Sequence, residues 1–174
     1  MVFITPPIPP ADVISLGVYH PWHGGNNPAF DAFSSLVLSL KKQETRGLNY
    51  FLAQLAPLFR DGIAIAVVPS HDPANTTSGM KTLAKHLINN TARIDAVDCL
   101  QRTVKVVKSA TGGDRSIQKH LGSIQVNQPE LIRGQTVLLL DDVTTSHNSL
   151  QACRSLLLDA GAASVQGYAL GQTQ

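Results

Sequence analysis

This sequence contains little cysteine and no long apolar run. Its two cysteines, Cys99 and Cys153, are too few for a disulfide framework or a cysteine-rich zinc site, and they fit a reducing compartment. No apolar stretch reaches membrane-spanning length, and the opening MVFITPPIPP has neither the basic start nor the apolar core of a signal peptide. We therefore expect a cytoplasmic protein with no membrane partner.

Charge is also sparse in this chain. Charged residues make up 15% of the sequence, and the formal net charge is +2. No lysine- or arginine-rich run is dense enough to follow a phosphate backbone, so the chain has no strong nucleic-acid signature. Hydrophobic residues make up 43% of the 174 residues, which predicts a single globular domain over 1–174 with a full core.

The apolar periodicity predicts an α/β fold. Strands are predicted over 13–20, 62–70, 94–100, 136–142 and 164–170, and helices over 30–40, 48–58, 75–88 and 150–160. This order of elements is typical of a mainly parallel, twisted sheet with helices on both faces. Two segments show little pattern: residues 1–28, rich in Pro and Gly, are predicted to be irregular, and residues 101–128 to form a long flexible loop.

The most informative stretch is VLLLDDVTTSHNSL, at 137–150. It leads from an apolar strand into two adjacent carboxylates, Asp141 and Asp142, and then into a helix. Ligands of open α/β sheets bind beyond the carboxyl ends of the strands, and a helix N-terminus attracts phosphate. The side-chain donors available for a phosphate here are Thr144, Thr145, Ser146, Asn148 and Ser149. The carboxylates would then serve ribose hydroxyls, with a magnesium ion screening their charge.

Simpler interpretations of the same stretch stay open. Hydroxyl-rich turns commonly cap helices, and paired aspartates at a strand end can simply be solvated. A nucleoside triphosphatase is disfavoured because it needs a glycine-rich phosphate loop with lysine, and the nearest approach, SATGGDRS at 109–116, lacks that pattern. A phosphoacceptor receiver domain is disfavoured because its acidic pair comes early in the chain, whereas here only about 30 residues follow.

VLLLDDVTTSHNSL resembles the phosphoribosyl-pyrophosphate-binding loop of type I phosphoribosyltransferases, where two acidic residues follow an apolar strand. Asp141 and Asp142 match the acidic pair of that loop. Its two threonines and its later hydroxyl are matched by Thr145, Ser146 and Ser149. The resemblance implies a type I phosphoribosyltransferase-like fold with a long flexible lid loop.

The likeness extends to the competence-associated, ComF-like branch of this family, without that branch's N-terminal zinc-binding cysteines. The stretches that resemble the branch are LVLSLKK (36–42), IAVVPSHDP (65–73), Arg102 with QKHLGSIQV (118–126), and GAASVQGYAL (161–170). One position departs from the family pattern, because His147 stands where a glycine is usual. A homodimer is the family-level expectation.

The resemblance implies a reaction in which phosphoribosyl pyrophosphate, bound with Mg²⁺, exchanges its 1-pyrophosphate for an unknown nitrogen nucleophile. Asp141 and Asp142 would hold the ribose hydroxyls and contact the metal indirectly, through the substrate. The residues implied to wrap the 5′-phosphate are Thr145, Ser146, His147, Asn148 and Ser149, and Thr144 is a further candidate for binding the substrate. Those implied to contact the pyrophosphate are Ser70 and His71, together with Lys108 or Arg115 from a lid within 101–120.

A second hypothesis is a binding module on the same fold. Such a module would sense phosphoribosyl pyrophosphate or a nucleotide monophosphate, or would assist DNA uptake, without turnover. His147 in place of glycine and the arginine-poor loop after Pro69 favour this alternative, whereas the acidic pair and the basic residues of the predicted lid favour the enzyme. A third hypothesis is an interaction domain with a decayed site.

Overall fold

A parallel β-sheet with helices on both faces forms the centre of the molecule, and the computed structural model describes residues 1–5, 11–105 and 117–173. The strands are β1 (Val13–Val18), β2 (Ala64–Val67), β3 (Ile94–Asp95), β4 (Leu100–Arg102), β5 (Ile124–Val126), β6 (Thr136–Thr144) and β7 (Ser164–Gln172). The helices are α1 (Ala32–Lys41), α2 (Thr45–Leu55), α3 (Gly79–Ile88), α4 (Ile117–Leu121) and α5 (Asn148–Asp159). None of the described helices is long and apolar enough to cross a membrane.

The main sheet has five strands in the order β1-β7-β6-β2-β3, and every neighbouring pair is parallel. Ile65 and Leu138 face a core shared with α1, α2 and α3. Ala66 and Leu139 face a second core, shared with α5, β4 and β5. Because both faces are covered, the central strands are apolar throughout, as buried parallel strands require. The predicted α/β fold with a mainly parallel sheet is confirmed.

Several predicted boundaries differ from the structure, and side-chain contacts account for the difference at two elements. The strand predicted over 94–100 is wrong beyond Asp95, because the Asp95 side chain accepts a hydrogen bond from the Val97 N–H at 3.2 Å and turns the chain. α2 both starts and ends earlier than the predicted 48–58. The guanidinium of Arg93 donates to carbonyl oxygens in the turn after α2, which fixes the path of the chain there.

Both segments that show little pattern contain regular structure. Within residues 1–28, the strand predicted over 13–20 is confirmed as β1, an edge strand of the sheet that pairs with β7. Within residues 101–128, β4 pairs antiparallel with β5, and α4 packs against α5; residues 106–116 lie outside the described residues. β4 and β5 escaped prediction because strands of three residues are too short to show a hydrophobic period.

Candidate functional site

A cavity of about 600 Å³ opens at the carboxyl ends of β2 and β6. Asp141 and Asp142, near the end of β6, line one part of its wall. Ser70 and His71, which follow β2, line another part. The two strands are direct neighbours in the sheet, so their following loops leave it side by side. The structure therefore brings the two predicted ligand loops together at the edge where open α/β sheets bind ligands.

A smaller pocket of about 150 Å³ adjoins the cavity and shares His120, Val143 and Ser149 with it. The rest of its lining is the loop from β6 into α5: Thr144, Thr145, Ser146, His147 and Asn148. The first-turn N–H groups of a helix have no acceptor within the helix, and they lie at the positive end of its dipole. We call this the α5 pocket; its backbone donors and hydroxyl groups suit a phosphate monoester.

The two carboxylates are held by different partners. Asp141 accepts hydrogen bonds from the Asp142 N–H at 2.9 Å and from the Ser149 hydroxyl at 3.3 Å. Asp142 accepts a hydrogen bond from the Val143 N–H at 2.6 Å and forms an ion pair with Lys41, whose Nζ lies 3.3 Å from Oδ2. Among the described residues, each oxygen of these two side chains thus has one partner, which leaves acceptor capacity for a ligand hydroxyl.

The environment of Asp141 favours its neutral form. Part of the side chain faces the cavity, but burial raises its pKa well above the ordinary aspartate value, and the charge of Asp142 raises it further. The backbone hydrogen bond, Lys41 and Ser149 act in the opposite direction without cancelling these effects. Carboxylates with perturbed pKa values in clefts are typical of functional sites.

The raised pKa of Asp141 predicts how stability depends on pH. The unfolded chain releases the Asp141 proton at about pH 4, whereas the folded chain holds this proton to a higher pH. The free energy of unfolding therefore decreases as the pH rises from about 4 to the pKa of Asp141 in the folded chain. We expect Asp141→Asn to match the wild type in acid and to become the more stable of the two as the pH rises. Urea denaturation across this range measures the difference, with exposed Asp159→Asn as control. A difference that shrinks with rising pH would contradict the assignment.

His147 occupies a backbone conformation that favours glycine. Its φ is 61° and its ψ is 1°, in the left-handed region, and it is the residue directly before α5. A residue with a Cβ adopts this conformation at a cost of about 1–2 kcal/mol. The chain therefore forms a left-handed turn before α5 with a histidine, where glycine would adopt the same backbone conformation without strain.

We expect His147→Gly to leave stability unchanged or to raise it by up to about 1 kcal/mol, because glycine adopts a positive φ without strain. Ligand binding in the α5 pocket should be preserved or tightened. Thermal and urea unfolding measure the first effect. His86→Gly, the same change inside α3, serves as control and should cost about 1 kcal/mol. Equal losses in both variants would show that the His147 side chain stabilises the turn.

The loop between β2 and α3 is held by a short polar network. The Ser70 hydroxyl accepts hydrogen bonds from the Asp72 N–H and from the Asn75 side chain, each at 3.4 Å. Lys105 lies 2.6 Å from the Asp72 carboxylate and lowers the pKa of that group. Asp72 lines a third, neighbouring cavity of about 370 Å³ that also includes Ser70. The charge of Asp72 is therefore paired with Lys105, and Asp72 does not line the larger cavity.

Two cations that local sequence reasoning did not place in the site line the larger cavity. Lys41 comes from the end of α1, and Arg102 comes from β4. The local sequence predicts a ligand contact at neither position. Lys41 has the sequence position of a polar helix end, and Arg102 lies in a stretch with little hydrophobic periodicity. Both residues fall within the stretches that carry the family resemblance, and a contact of Lys41 with the substrate was the less favoured interpretation of its sequence position.

Lys108 and Arg115 lie outside the described residues, so their contact with a ligand stays a prediction. The described part of the predicted lid does reach the site. His120, on α4, lines both the larger cavity and the α5 pocket. The segment after residue 116 therefore forms part of the wall around the acidic pair.

The fit of a magnesium ion can be judged from the carboxylates. Across the described ranges, no three histidine, cysteine, aspartate or glutamate side chains converge into a group that could hold a metal ion. Asp141 and Asp142 provide only two carboxylates, and Asp142 is already paired with Lys41. These residues do not build a resident magnesium site. A magnesium ion would have to arrive already bound to the phosphates of a ligand.

No protein-family model and no curated protein matches the chain. Among solved structures, it is similar to a hypoxanthine phosphoribosyltransferase from Staphylococcus aureus, with a TM-score of 0.38, 12% identity, and coverage of 82% of this chain and 74% of that one. It is also similar to a purine phosphoribosyltransferase from Pyrococcus horikoshii Ot3, with a TM-score of 0.34, 12% identity, and coverage of 93% and 89%. At this level of similarity, function has to be inferred from the site's own residues.

Proposed function

We propose that this protein is a phosphoribosyltransferase that binds phosphoribosyl pyrophosphate with magnesium and transfers the phosphoribosyl group to a nitrogen acceptor. The observation that carries the proposal is the adjoining pair of pockets, with Asp141 and Asp142 in the larger one and a helix N-terminus at the smaller one. The helix N-terminus at the α5 pocket suits a phosphate monoester, and the acidic pair suits vicinal hydroxyls. The cations Lys41 and Arg102, which also line the larger cavity, suit a second anionic group.

The acidic pair suits the ribose part of such a ligand. Carboxylate oxygens accept hydrogen bonds from hydroxyl groups, and bonds to an ionised acceptor are roughly twice as strong as neutral ones. Lys41 and the Ser149 hydroxyl orient the two carboxylates toward the cavity that they line. With its 5′-phosphate in the α5 pocket, a ribose would present its two hydroxyls to Asp141 and Asp142.

The proposed reaction breaks the bond between the ribose C1 and the pyrophosphate oxygen and forms a bond between C1 and the acceptor nitrogen. The pyrophosphate leaves with the bonding electron pair, and the nitrogen releases a proton. Positive charge develops on the ribose during this exchange. The chain contributes by holding the ribose in place and by supplying negative charge beside it, at Asp142 above all.

Magnesium enters this proposal as part of the substrate. The phosphates would bring the ion, and Asp141 and Asp142 would contact it only through the ligand. Bound magnesium screens the charge of the pyrophosphate and makes it a better leaving group. The carboxylates are also held by their own backbone and by Lys41, so their orientation does not depend on a metal.

We also propose the ComF-like branch as the relevant part of the family. Its support is that two of the stretches that resemble this branch, LVLSLKK (36–42) and the segment that begins with Arg102, supply Lys41 and Arg102 to the same cavity. A homodimer stays a family-level expectation.

Turnover is tested by incubating the protein with phosphoribosyl pyrophosphate, magnesium chloride and a panel of nitrogen nucleophiles: purine bases, pyrimidine bases, ammonia and primary amines. We expect one acceptor to be consumed in step with pyrophosphate release.

Binding of phosphoribosyl pyrophosphate without its consumption by any acceptor would favour the second candidate, a binding module. The left-handed histidine at position 147 is the observation that favours that candidate, because its Cβ limits how closely a phosphate can approach.

A further inference from the structure

One wall of the larger cavity is not shared with the two cavities beside it. The end of α1 and the start of α3 build this wall, and its side chains include Leu40, Lys41, Gln43, Thr77 and Met80. None of these five residues lines the α5 pocket or the neighbouring 370 Å³ cavity. We call this surface the α1–α3 wall. It gives the larger cavity a third side, on which a further group can bind.

The α1–α3 wall suits a group without charge. Its charged side chain, Lys41, is already paired with Asp142. Leu40 and Met80 are buried apolar side chains, and the methionine sulfur makes favourable contacts with planar rings. Gln43 adds a neutral amide. Apolar surface with a few polar groups that fix orientation is typical of sites for small organic molecules.

Gln43 combines a fixed backbone with a side chain that is available for a ligand. Its N–H donates to the carbonyl oxygen of Leu40 at 2.8 Å, and the next N–H, of Glu44, donates to the carbonyl oxygen of Ser39 at 3.0 Å. The Ser39 hydroxyl also accepts a hydrogen bond from the Gly47 N–H at 3.1 Å, which ties the turn to α2. The Gln43 side chain is exposed, and its amide makes no hydrogen bond within the described ranges.

The chemistry of the proposed reaction indicates which group binds at this wall. In a direct displacement at the ribose C1, the acceptor and the departing pyrophosphate lie on opposite faces of the sugar. Ser70, which is predicted to contact the pyrophosphate, lies on the side that the larger cavity shares with the 370 Å³ cavity. The proposed phosphate site is on another side, in the α5 pocket. The α1–α3 wall therefore remains for the acceptor.

We propose that Gln43 binds the acceptor and determines which acceptor is used. This inference rests on the proposed function and specifies the acceptor, which that proposal leaves open. A glutamine amide has an NH₂ donor beside a carbonyl acceptor, so it pairs through two hydrogen bonds with a group that has an N–H beside a C=O. Leu40 and Met80 supply apolar contact for a planar ring. The acceptor is a neutral lactam heterocycle, and not ammonia, an aliphatic amine or a carboxylate-bearing ring.

The test compares acceptors at saturating phosphoribosyl pyrophosphate with magnesium chloride, and the readout is pyrophosphate release. Uracil and hypoxanthine are the neutral lactams. The comparison acceptors are orotate, which adds a carboxylate to uracil, together with ammonia and ethylamine. We expect the wild type to prefer a neutral lactam. Gln43→Gly should lower kcat/KM for that lactam by roughly tenfold or more, about 1.4 kcal/mol, mainly through KM, and should leave the binding of phosphoribosyl pyrophosphate unchanged.

Gln128→Gly is the matched control for this variant. Gln128 is also an exposed glutamine with a left-handed backbone, at φ 54°, but it lines none of the three cavities. This control should use every acceptor like the wild type. Both glycine variants should be at least as resistant to urea as the wild type, because glycine adopts a positive φ without strain. Gln43→Glu keeps the size of the side chain but loses the NH₂ donor, so it should also lose activity with the lactam.

The outcomes separate this inference from the proposed function. Unchanged kcat/KM for the lactam in Gln43→Gly overturns the role of Gln43, and a preference for orotate over both neutral lactams contradicts the neutral acceptor. A wild type that uses ammonia or ethylamine but neither lactam overturns the inference and leaves the proposed function standing. A wild type that uses no acceptor at all, or does not bind phosphoribosyl pyrophosphate, overturns both.

Discussion

An Asp141→Asn, Asp142→Asn double variant should lose turnover and bind phosphoribosyl pyrophosphate roughly a hundredfold more weakly, a difference of about 2.7 kcal/mol. Asparagine removes the charge of Asp142 and, at both positions, places an NH₂ donor where a ribose hydroxyl needs an acceptor. The fold should survive, because an asparagine oxygen can still accept the backbone N–H bonds that each carboxylate accepts now. Lys41 would lose its partner, but its side chain is 34% exposed and can be solvated.

The double variant is measured by titration calorimetry and by pyrophosphate release. Its matched control is Asp12→Asn with Asp159→Asn, which makes the same two substitutions at exposed positions outside the cavity. Circular dichroism and urea unfolding confirm that both variants are folded. Retained turnover in the Asp141, Asp142 variant would contradict the role of the acidic pair, whatever the affinity.

Gly79→Ala should destabilise the protein by more than about 3 kcal/mol or prevent it from folding. Gly79 is the first residue of α3, and a Cβ built on it would lie 1.8 Å from the carbonyl oxygen of Leu40. That oxygen belongs to the backbone of α1, so a rotamer change cannot relieve the clash. α1 and α3 would have to separate, which would move Lys41 away from Asp142 as well.

The control for this variant is Gly122→Ala, whose added Cβ would lie 3.5 Å from the nearest atom, an ordinary contact. It should leave stability unchanged or raise it by up to about 1 kcal/mol, because alanine restricts the unfolded chain. Urea denaturation measures both variants. A loss at Gly79 no larger than that at Gly122 would contradict the close packing of α1 on α3.

The contiguous part of the site could be predicted from the sequence. Residues 141–149 follow one another along the chain, so a buried strand, two carboxylates, hydroxyl groups and a helix start are visible in a single stretch. The strands and helices of the main sheet were predictable for the same reason, because each has a local hydrophobic period. Their boundaries were less accurate, since side-chain contacts such as those of Asp95 and Arg93 decide where an element ends.

The rest of the site depends on packing between distant segments. Lys41 reaches Asp142 across a separation of about a hundred residues, and only the contact of α1 with the sheet places it there. Arg102 is oriented by Ser70 and Ser123, which are also remote in sequence. Gly79 shows no turn signal, because its role is to let another helix approach and not to adopt a positive φ. Hydrophobic periodicity and turn signals, which are local, do not predict contacts between segments that are distant in the sequence.

The central claim is that the acidic pair and the α5 pocket bind phosphoribosyl pyrophosphate. The most direct measurement is a calorimetric titration of this ligand into the wild-type protein, with and without magnesium chloride, and into the Asp141, Asp142 double variant. We expect magnesium-dependent binding at one site per chain, and its loss in the double variant. No detectable heat of binding to the wild type at millimolar ligand, with magnesium present, would contradict the claim.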